Sequence, residues 1–479
     1  MKILFVSVEV SPFAKVGGLA DVAGSLPSQL AALGHDVRVV CPRYRIIEED
    51  SRFDLKPASG PFNVRLNKNW NVQATVETTV HDGVEHWFID GDDFFASATS
   101  SATIYQNGVE KYLFFSEAVL AATQAMHWTP DIIHANDWHT GLIPLLMRAR
   151  HGRTWENTVS VFTIHNFAYQ GEFGPEILDM LELSRAHFNH HETEAYGALN
   201  FLKTGCVFAD MATTVSPRYA QEIQTPEFGN RLEGLMRHLS EEDRLAGILN
   251  GIDQREFNPA ADRRLAKAFD AANPSGKADC KRALRERLGL AEGDKPIIGV
   301  VSRLSHQKGL DVLASSAKHL VEMGFQLVVQ GLGDSNLVDA WRTLAAANPD
   351  DIGFVEAFDE TMAMSVYAGS DFFAMPSRFE PCGLGQMIAL RYGTLPIVRR
   401  TGGLADTIRE GKNGFVFQQA EPVDLINACQ RALEVYRSPE WPEFVVKALS
   451  EDFGWTESAK QYSALYQRML NQRREAICA

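Results

Sequence analysis

Short apolar segments alternate with helical patterns along this chain, and the alternation restricts it to an α/β fold. Ile3 to Val10 is a continuous apolar run rich in β-branched residues, which predicts a strand covered on both faces. A helical pattern follows from Val22 to Leu33 and ends at Gly34, and Val37 to Cys41 makes the next strand. This is a βαβ unit, the element from which parallel sheets are built.

The alternation forms two successive series. Buried strands are predicted at residues 131–134 and 160–165 in the first series, and at 296–301, 326–330, 371–375 and 395–398 in the second. Two such arrays predict two doubly wound, Rossmann-like α/β lobes that face each other across a cleft. We assign residues 1–250 to an N-terminal lobe and 251–455 to a C-terminal lobe, with a final helix at 456–479 that packs back on the first lobe.

The composition limits the partners and the compartment. The 479 residues include 46 Lys and Arg against 61 Asp and Glu, a formal net charge of −15, which argues against nucleic acid as the main partner. The six cysteines lie far apart without a Cys-x-x-Cys pair, as in proteins of a reducing interior. No segment approaches the roughly 18 apolar residues of a membrane span, and Glu9 interrupts the first apolar run too early for a signal peptide. These features predict a cytoplasmic protein that binds neither membranes nor nucleic acids.

One six-residue sequence occurs in almost the same form in both halves. Gly17-Gly18-Leu19-Ala20-Asp21-Val22 reappears as Gly402-Gly403-Leu404-Ala405-Asp406-Thr407, each time between a predicted strand and a predicted helix. Paired glycines at a helix N-terminus can leave backbone amides open to an anion, and the helix dipole adds positive potential. The alternative is that glycine serves only the geometry of two turns. The repetition, each copy beside its own polar or basic partner, favours a phosphate-lined cleft.

Three basic residues stand where they could bind a diphosphate. Lys15 precedes Gly17 by two residues, and Arg303 and Lys308 flank the turn after the strand predicted at 296–301. Arginine offers a planar fork to phosphate, and lysine a flexible point charge. A solvated surface side chain is the alternative for each residue taken alone. Together the three predict a pyrophosphate clamp.

Polar side chains follow the predicted strands at their carboxyl ends, where ligands bind in open α/β sheets. Asp137 comes just past the strand at 131–134, and His165 ends the next strand. A helix cap for Asp137 and a structural imidazole for His165 are the alternatives, but two such residues on neighbouring strands favour function. Glu380 precedes a helical pattern near the second glycine turn, where a carboxylate could stabilise positive charge on a sugar ring or cap a helix.

Other patterns that suggest a cofactor or a metal are weaker. Gly331-x-Gly333 lacks the third glycine of a dinucleotide fingerprint, so a nicotinamide enzyme is not expected. Asp90-x-Asp92-Asp93 resembles a metal-binding Asp-x-Asp, but a solvated acidic turn suits a chain with basic phosphate ligands better. A last group consists of His187, His190, His191 and Glu194. Their spacing matches one helical face, which predicts a surface helix rather than a zinc site. We expect no metal and no cofactor.

These motifs together resemble those of bacterial glycogen synthases and starch synthases, which are retaining glucosyltransferases with the GT-B fold. The resemblance runs from Lys2 to the C-terminal helix. It rests on the segments Lys15 to Val22, Asn136 to Leu142, His165-Asn166 with Tyr169-Gln170-Gly171, Asn250 to Asp253, Ser302-Arg303-Leu304 with Gln307-Lys308-Gly309, Glu380 to Leu384, and Arg400 to Thr407.

The resemblance implies transfer of glucose from ADP-glucose to the non-reducing end of an α-1,4-glucan, with retention and without a metal. It places the acceptor glucan on the N-terminal lobe and the nucleotide sugar on the C-terminal lobe. Asp137, His165 and Glu380 would surround the transferred glucose, His165 through its backbone carbonyl. Lys308 and Arg303 would hold the departing diphosphate. Same-face attack and double displacement both stay open as routes to retention.

The resemblance also implies a set of substrate-binding residues, with the backbone amides of Gly18 and of the Thr401–Leu404 turn on the diphosphate. The set is Lys15, Gly17, Gly18, Asp21, Asn250, Cys382, Gly383, Leu384, Thr401, Gly402 and Gly403. From its own context, Cys382 is otherwise expected to be a small packing residue.

The sequence departs from the family pattern at three places. Ile388 stands where many retaining GT-B enzymes have a second glutamate, as in the synthase subgroup, and Gly385 stands where that subgroup often has a larger residue. The segment Asp90–Asn107 is shorter than the usual loop, which helps to receive the glucan in relatives. Two alternatives therefore stay open, a transferase that makes a small glucoside and a non-catalytic glucan-binding relative.

Overall fold

The predicted apolar runs form the central strands of two units in the computed structural model, which describes residues 1–91, 93–106 and 108–478. Unit 1 comprises Met1–Val215, Ala220–Asn250 and Trp455–Ala479, and unit 2 comprises Ser216–Tyr219 and Gly251–Gly454. Parallel strands dominate both units, as the alternation of strand and helix patterns predicts.

The central strands of unit 1 are buried, and the strands at its edge are more exposed. In chain order they are β1 (Lys2–Val6), β2 (Asp36–Pro42), β3 (Lys56–Pro57), β4 (Phe62–Asn67), β5 (Trp70–His81), β6 (Val84–Gly91), β7 (Ile132–Asn136), β8 (Val159–Ile164), β9 (Glu172–Phe173), β10 (Glu194–Ala195), β11 (Ala198–Asn200), β12 (Met211–Thr214) and β13 (Leu245–Gly247). The main sheet has the order β13-β12-β8-β7-β1-β2-β6-β5-β3, and β4 pairs with β5. It is parallel from β13 to β6, and β9 to β11 form a separate antiparallel sheet.

The helices of this part of the chain are α1 (Gly18–Ala32), α2 (Arg45–Glu48), α3 (Glu110–Ala125), α4 (Ile143–Ala149), α5 (Glu176–Met180), α6 (Phe201–Phe208), α7 (Pro217–Glu222) and α8 (Glu233–Glu241). The first helix starts at Gly18, four residues before the predicted start, so the glycine pair lies at its N-terminus. It ends before Gly34, whose φ of +89° suits a glycine after a helix.

Unit 2 contains a sheet that is parallel throughout. Its strands are β14 (Ile297–Val301), β15 (Gln326–Gln330), β16 (Ile352–Val355), β17 (Phe372–Met375), β18 (Leu395–Arg399) and β19 (Phe415–Phe417). Its helices are α9 (Gly276–Leu288), α10 (Leu310–Met323), α11 (Ser335–Ala347), α12 (Glu360–Gly369), α13 (Gly385–Arg391), α14 (Gly402–Thr407), α15 (Pro422–Tyr436) and α16 (Trp441–Leu449). The sheet order, β16-β15-β14-β17-β18-β19, is the doubly wound Rossmann order.

The last helix, α17 (Trp455–Cys478), belongs to unit 1 and is longer than the apolar spacing at 455–469 suggests. It packs against α1, where Oγ of Ser463 lies 2.8 Å from Nε2 of His35. The hydroxyl of Tyr466 lies 2.7 Å from Nδ1 of the buried His134. The final helix therefore contributes to the core of the first unit.

One helix expected from the sequence is not formed. Residues Arg185–His187 make a 3-10 turn and Glu194 lies in β10, so the histidines do not share a helical face. Local side-chain bonds hold the irregular segment, among them His187 Nδ1 to Glu192 at 2.6 Å and Thr193 Oγ1 to the His187 carbonyl at 2.7 Å. Such bonds compete with the backbone hydrogen bonds of a regular helix. The helical spacing of the three histidines and Glu194 is therefore not sufficient to predict a helix here.

The other acidic and cysteine patterns have plain structural outcomes. Asp90 lies in β6 and pairs with Arg43 at 3.1 Å, while Asp92 of the same motif is outside the described residues. Within the described ranges, no group of three or more His, Cys, Asp or Glu side chains is arranged to hold a metal ion.

The described side chains of Cys41, Cys206, Cys280, Cys382 and Cys429 are buried free thiols. In the described part of the chain, no helix is long and apolar enough to cross a bilayer.

Candidate active site

The strand order of each sheet reverses at one point, and the candidate residues lie there. In unit 1 the reversal is between β1 and β7, and in unit 2 it is between β14 and β17. Ligands of doubly wound sheets bind at the carboxyl edge beside such a switch point. Asp137 follows β7 in unit 1, and Lys308 and Glu380 come after β14 and β17 in unit 2.

Asp137 and His165 are brought together at the carboxyl ends of β7 and β8. The Asp137 carboxylate accepts the backbone amide of His165 at 2.7 Å and also that of Asn166. It does not cap the following 3-10 turn, so the helix-cap alternative is wrong. Its φ of +57° is one that non-glycine residues seldom adopt, and such strained backbone clusters at functional sites.

Burial sets the protonation of both side chains. It raises the pKa of Asp137 to about 7 against the effect of the two backbone amides, and the nearby charge of Glu9 adds to the rise. Burial also lowers the pKa of His165 to about 3, so its imidazole is neutral near pH 7. The His165 Nε2 lies 2.9 Å from the Asn136 side-chain oxygen, a contact that favours the tautomer with the proton on Nε2.

Glu9 is a site residue that the sequence analysis missed. It lies just past β1, is buried, and accepts the backbone amides of Val16 and Gly17 on Oε2 at 2.7 and 2.8 Å. The hydroxyl of Tyr105 donates to its other oxygen. Glu9 therefore ties the end of β1 to the loop that opens α1. The only signal in the sequence was a carboxylate at the end of an otherwise apolar run.

The first glycine turn is open to an anion at one position. The Gly17 amide already donates to Glu9, whereas the exposed Gly18 amide donates to no acceptor within the described ranges. Beside this helix start, Lys15 pairs with Asp21 at 2.6 Å. The structure thus brings together Lys15, Gly17, Gly18 and Asp21, with the lysine ammonium near the positive end of the α1 dipole.

Asn250 lies apart from this group, at the end of unit 1. It is buried, and its side-chain oxygen accepts no hydrogen bond from the described residues. A buried acceptor of this kind needs a partner, so Asn250 stays a candidate for ligand binding.

In unit 2, Lys308 and Glu380 form an ion pair at the switch point. The ammonium lies 2.9 and 2.7 Å from the two carboxylate oxygens, and Ser377 donates to the carboxylate at 2.9 Å. Glu380 is therefore held by side chains and does not cap α13, which begins at Gly385. Arg303 is exposed and its guanidinium makes no ion pair with a described residue. It is placed on the same loop as Lys308 and is free to meet a ligand.

Gly309 fixes the position of this pair. Its φ is +66°, and a Cβ atom there would come within 2.0 Å of the Pro376 carbonyl oxygen. Only glycine allows the loop after β14 to lie this close to the segment after β17. The Arg378 guanidinium also links these two segments, because it donates two hydrogen bonds of 2.7 Å to the Asp311 carboxylate. The distance between Lys308 and Glu380 is thus set by backbone packing.

The second glycine turn differs from the phosphate-binding turn expected from the sequence. The amides of Thr401, Gly403 and Leu404 donate to backbone carbonyls, that of Gly403 to Glu380 and Pro381 at 3.2 Å. These three amides already have carbonyl acceptors in this structure, and diphosphate binding by the Thr401–Leu404 turn stays a prediction. The two glycines also serve a close approach, since a Cβ at Gly402 would lie 1.8 Å from the Glu380 carbonyl oxygen.

The same turn supports the segment that carries Glu380. A Cβ at Gly403 would lie 2.2 Å from the carbonyl oxygen of the buried Cys382, and Gly383 has φ +75°. Leu384 is the N-cap residue of α13. In the next position, a Cβ at Gly385 would lie 3.1 Å from the Phe373 ring, which explains the small residue there.

Comparison with known proteins gives matches over both units. Residues 2–238 match the starch synthase catalytic domain family, and residues 282–440 match the family of glycosyl transferases group 1. A glycogen synthase of Moorella thermoacetica is 41% identical over 495 residues, covering 100% of this chain and 98% of the relative. One from Desulforudis audaxviator is 42% identical over 484 residues, covering 97% and 96%.

Two solved structures also match this chain over nearly its whole length. The catalytic domain of starch synthase IV from Arabidopsis thaliana, bound to ADP and acarbose, superposes with a TM-score of 0.90. It is 32% identical to this chain, and the match covers 98% of this chain and 99% of that one. A sucrose-phosphate synthase from Thermosynechococcus elongatus, 19% identical with a TM-score of 0.62, shares the fold.

Proposed function

The chain belongs to the glycogen synthase and starch synthase family of GT-B glycosyltransferases, and we propose that the residues at its two switch points carry out the family's reaction. That reaction is glucan synthesis from ADP-glucose. The observation that most supports the residue assignment is the Lys308–Glu380 pair, which sets a cation for phosphate beside a carboxylate for the sugar.

The proposed chemistry breaks the bond between the anomeric carbon and the diphosphate, whose oxygen keeps the electron pair. Lys308 and Arg303 neutralise the charge that grows on this leaving group. Glu380 faces the positive charge that grows on the sugar ring. The 4-hydroxyl of the non-reducing end of the glucan then bonds to the anomeric carbon with retention. Its proton goes to the departing phosphate in the same-face route.

The residues of unit 1 are proposed to bind the diphosphate and the transferred glucose of the donor. Lys15 and the Gly18 amide offer a charge and a backbone donor for the diphosphate. The Asp137 carboxylate accepts hydroxyls of the transferred glucose, and the neutral His165 contributes its backbone carbonyl. Unit 1 is proposed to receive the glucan and unit 2 the nucleotide sugar.

A donor and acceptor comparison tests this function. ADP-glucose and UDP-glucose are supplied in parallel with glycogen, maltooligosaccharides and a small alcohol acceptor, and products are separated by chain length. We expect ADP release coupled to elongation of the glucans. Lys15→Ala should lower this rate, whereas Lys68→Ala, at another exposed lysine of unit 1, should not. Transfer only to the small acceptor, or glucan binding without turnover, would establish one of the two alternative functions instead.

The raised pKa of Asp137 predicts the pH dependence of transfer. Because the carboxylate form is the hydroxyl acceptor and its pKa is about 7, activity should fall as the pH drops below 7, by up to about tenfold per pH unit. His165, with a pKa of about 3, stays neutral and adds no second limb in this range. The measurement is kcat/KM from pH 5 to 9 for the wild type and for Asp137→Asn. The variant should be less active and should lack the acid limb; an unchanged limb would exclude Asp137 as its cause.

A further inference from the structure

We propose that a cavity at the amino-terminal edge of the unit 1 sheet binds a small molecule through a phosphate group. The cavity has a volume of about 230 Å³ and is lined by residues from the end of α4, the starts of β8 and β12, and α17. Asp137 and His165 lie at the opposite, carboxyl-terminal edge of the same strands. The cavity is therefore separate from the catalytic residues.

Two arginines of the cavity wall share a single carboxylate. Nη2 of Arg148 lies 2.9 Å from Oδ1 of Asp210, and Arg473 of α17 donates to the same oxygen. The other oxygen accepts the amide and the hydroxyl of Ser160 at 2.8 and 3.0 Å. Asp210 has no lone pair left for further donors. Each guanidinium, with five N–H groups, still has donors that no described acceptor takes.

The two arginines of the wall share their ion-pair partner. Burial lowers the pKa of Arg148, and the charges of Arg473 and Arg244 lower it further in spite of Asp210. Arg244 itself is paired with Glu242 at 3.0 Å. Arg148 and Arg473 thus share one paired carboxylate, and within the described part of the chain the exposed Glu156 of the lining forms no ion pair with either arginine.

Another donor of the wall has no acceptor in the part of the chain that the structure describes. The indole N–H of the buried Trp155 has no acceptor among the described residues. The hydroxyl of Thr158 already donates to the Pro130 carbonyl. Glu156, the other carboxylate of the lining, is exposed to water. The unused N–H donors of the two arginines and of Trp155 are the part of the wall that is complementary to an oxyanion.

The size and the apolar part of the wall indicate more than a bare ion. At about 30 Å³ for a water in the liquid, the volume holds several water molecules. The Trp155 ring and Met147 supply an apolar surface next to the arginines. A small metabolite with one charged end fits both features.

Calorimetric titration of the full chain tests the proposal. Ribose 5-phosphate, inorganic phosphate and neutral ribose are titrated at equal ionic strength, with saturating ADP present to occupy the donor phosphate site. We expect saturable binding of ribose 5-phosphate and none of ribose. Tighter binding of the sugar phosphate than of phosphate identifies a phosphorylated metabolite, and equal binding identifies free phosphate. Absence of saturable binding by both anions, or equal binding of ribose, overturns the proposal.

Variants locate the binding. Arg473→Gln should weaken it about tenfold or more, the effect of losing a charged hydrogen bond, whereas Arg474→Gln, at the next and exposed residue of α17, should not change it. Arg148→Gln gives an independent test on α4 in case the α17 variant unfolds, which thermal unfolding reports. Unchanged affinity in a folded Arg473→Gln or Arg148→Gln places the anion elsewhere and overturns the assignment.

Discussion

Glu380→Gln is expected to lower kcat for glucosyl transfer by about 10²- to 10³-fold, the range for loss of one preorganised electrostatic contact in an active site. The carboxylate is almost fully buried, and its charge is directed by Lys308 and Ser377. Glutamine keeps the size and one acceptor oxygen, but it removes the negative charge that we propose faces the sugar. The loss should therefore lie in kcat rather than in the KM for ADP-glucose.

The matched control is Glu360→Gln, an exposed carboxylate in the first turn of α12 in the same unit. It should leave the rate unchanged. Steady-state kinetics with glycogen, together with thermal unfolding of each variant, separates a lost charge from a lost fold. If Glu380→Gln transfers glucose at the wild-type rate and is folded, Glu380 does not act on the sugar.

The sequence predicts the strands and their polar ends well because both are local features. A parallel strand covered on both faces is mostly apolar, so β1 and β14 are visible as continuous apolar runs. The residue after such a strand lies at the ligand-binding edge whatever its neighbours are. Asp137, which directly follows β7, could therefore be predicted as a site residue without any knowledge of tertiary contacts, and so could the position of the loop after β14 that carries Lys308.

The contacts between the candidate residues could not be predicted in this way. Glu380 is 72 residues from Lys308, and the pair depends on the close approach of Gly309 to Pro376. The Thr401–Leu404 turn has the same sequence signature as the first glycine turn, but its Gly403 amide donates to carbonyls of another segment, those of Glu380 and Pro381. Whether an amide is open to a ligand is decided by tertiary packing, which a local pattern does not contain.

Glu9→Gln is expected to lower kcat/KM for ADP-glucose by about 10- to 100-fold. Three donors converge on the Glu9 carboxylate, the amides of Val16 and Gly17 and the hydroxyl of Tyr105. A glutamine has one acceptor oxygen and places an NH₂ group where the second acceptor was, so at least one of the three partly buried donors loses its acceptor. The loss of a hydrogen-bond partner costs about 1–3 kcal/mol. If all of this free energy goes into loosening the loop that carries Lys15 and Gly18, it corresponds to a change of about 10- to 100-fold in kcat/KM.

The effect should appear mainly as a higher KM for ADP-glucose, because Glu9 acts through the loop and does not touch the reacting atoms. Glu194→Gln is the control, since Glu194 also holds a turn through a backbone amide, that of Gly197 at 2.6 Å, but outside the site. Tyr105→Phe removes one of the three donors and leaves both loop amides paired, so it should cost less than Glu9→Gln. An equal effect of Glu194→Gln and Glu9→Gln would show a general loss of stability instead of a positioning role. Because the carboxylate satisfies the amide of Gly17 and leaves that of Gly18 free, Glu9 determines which backbone donor of the glycine pair can meet the diphosphate.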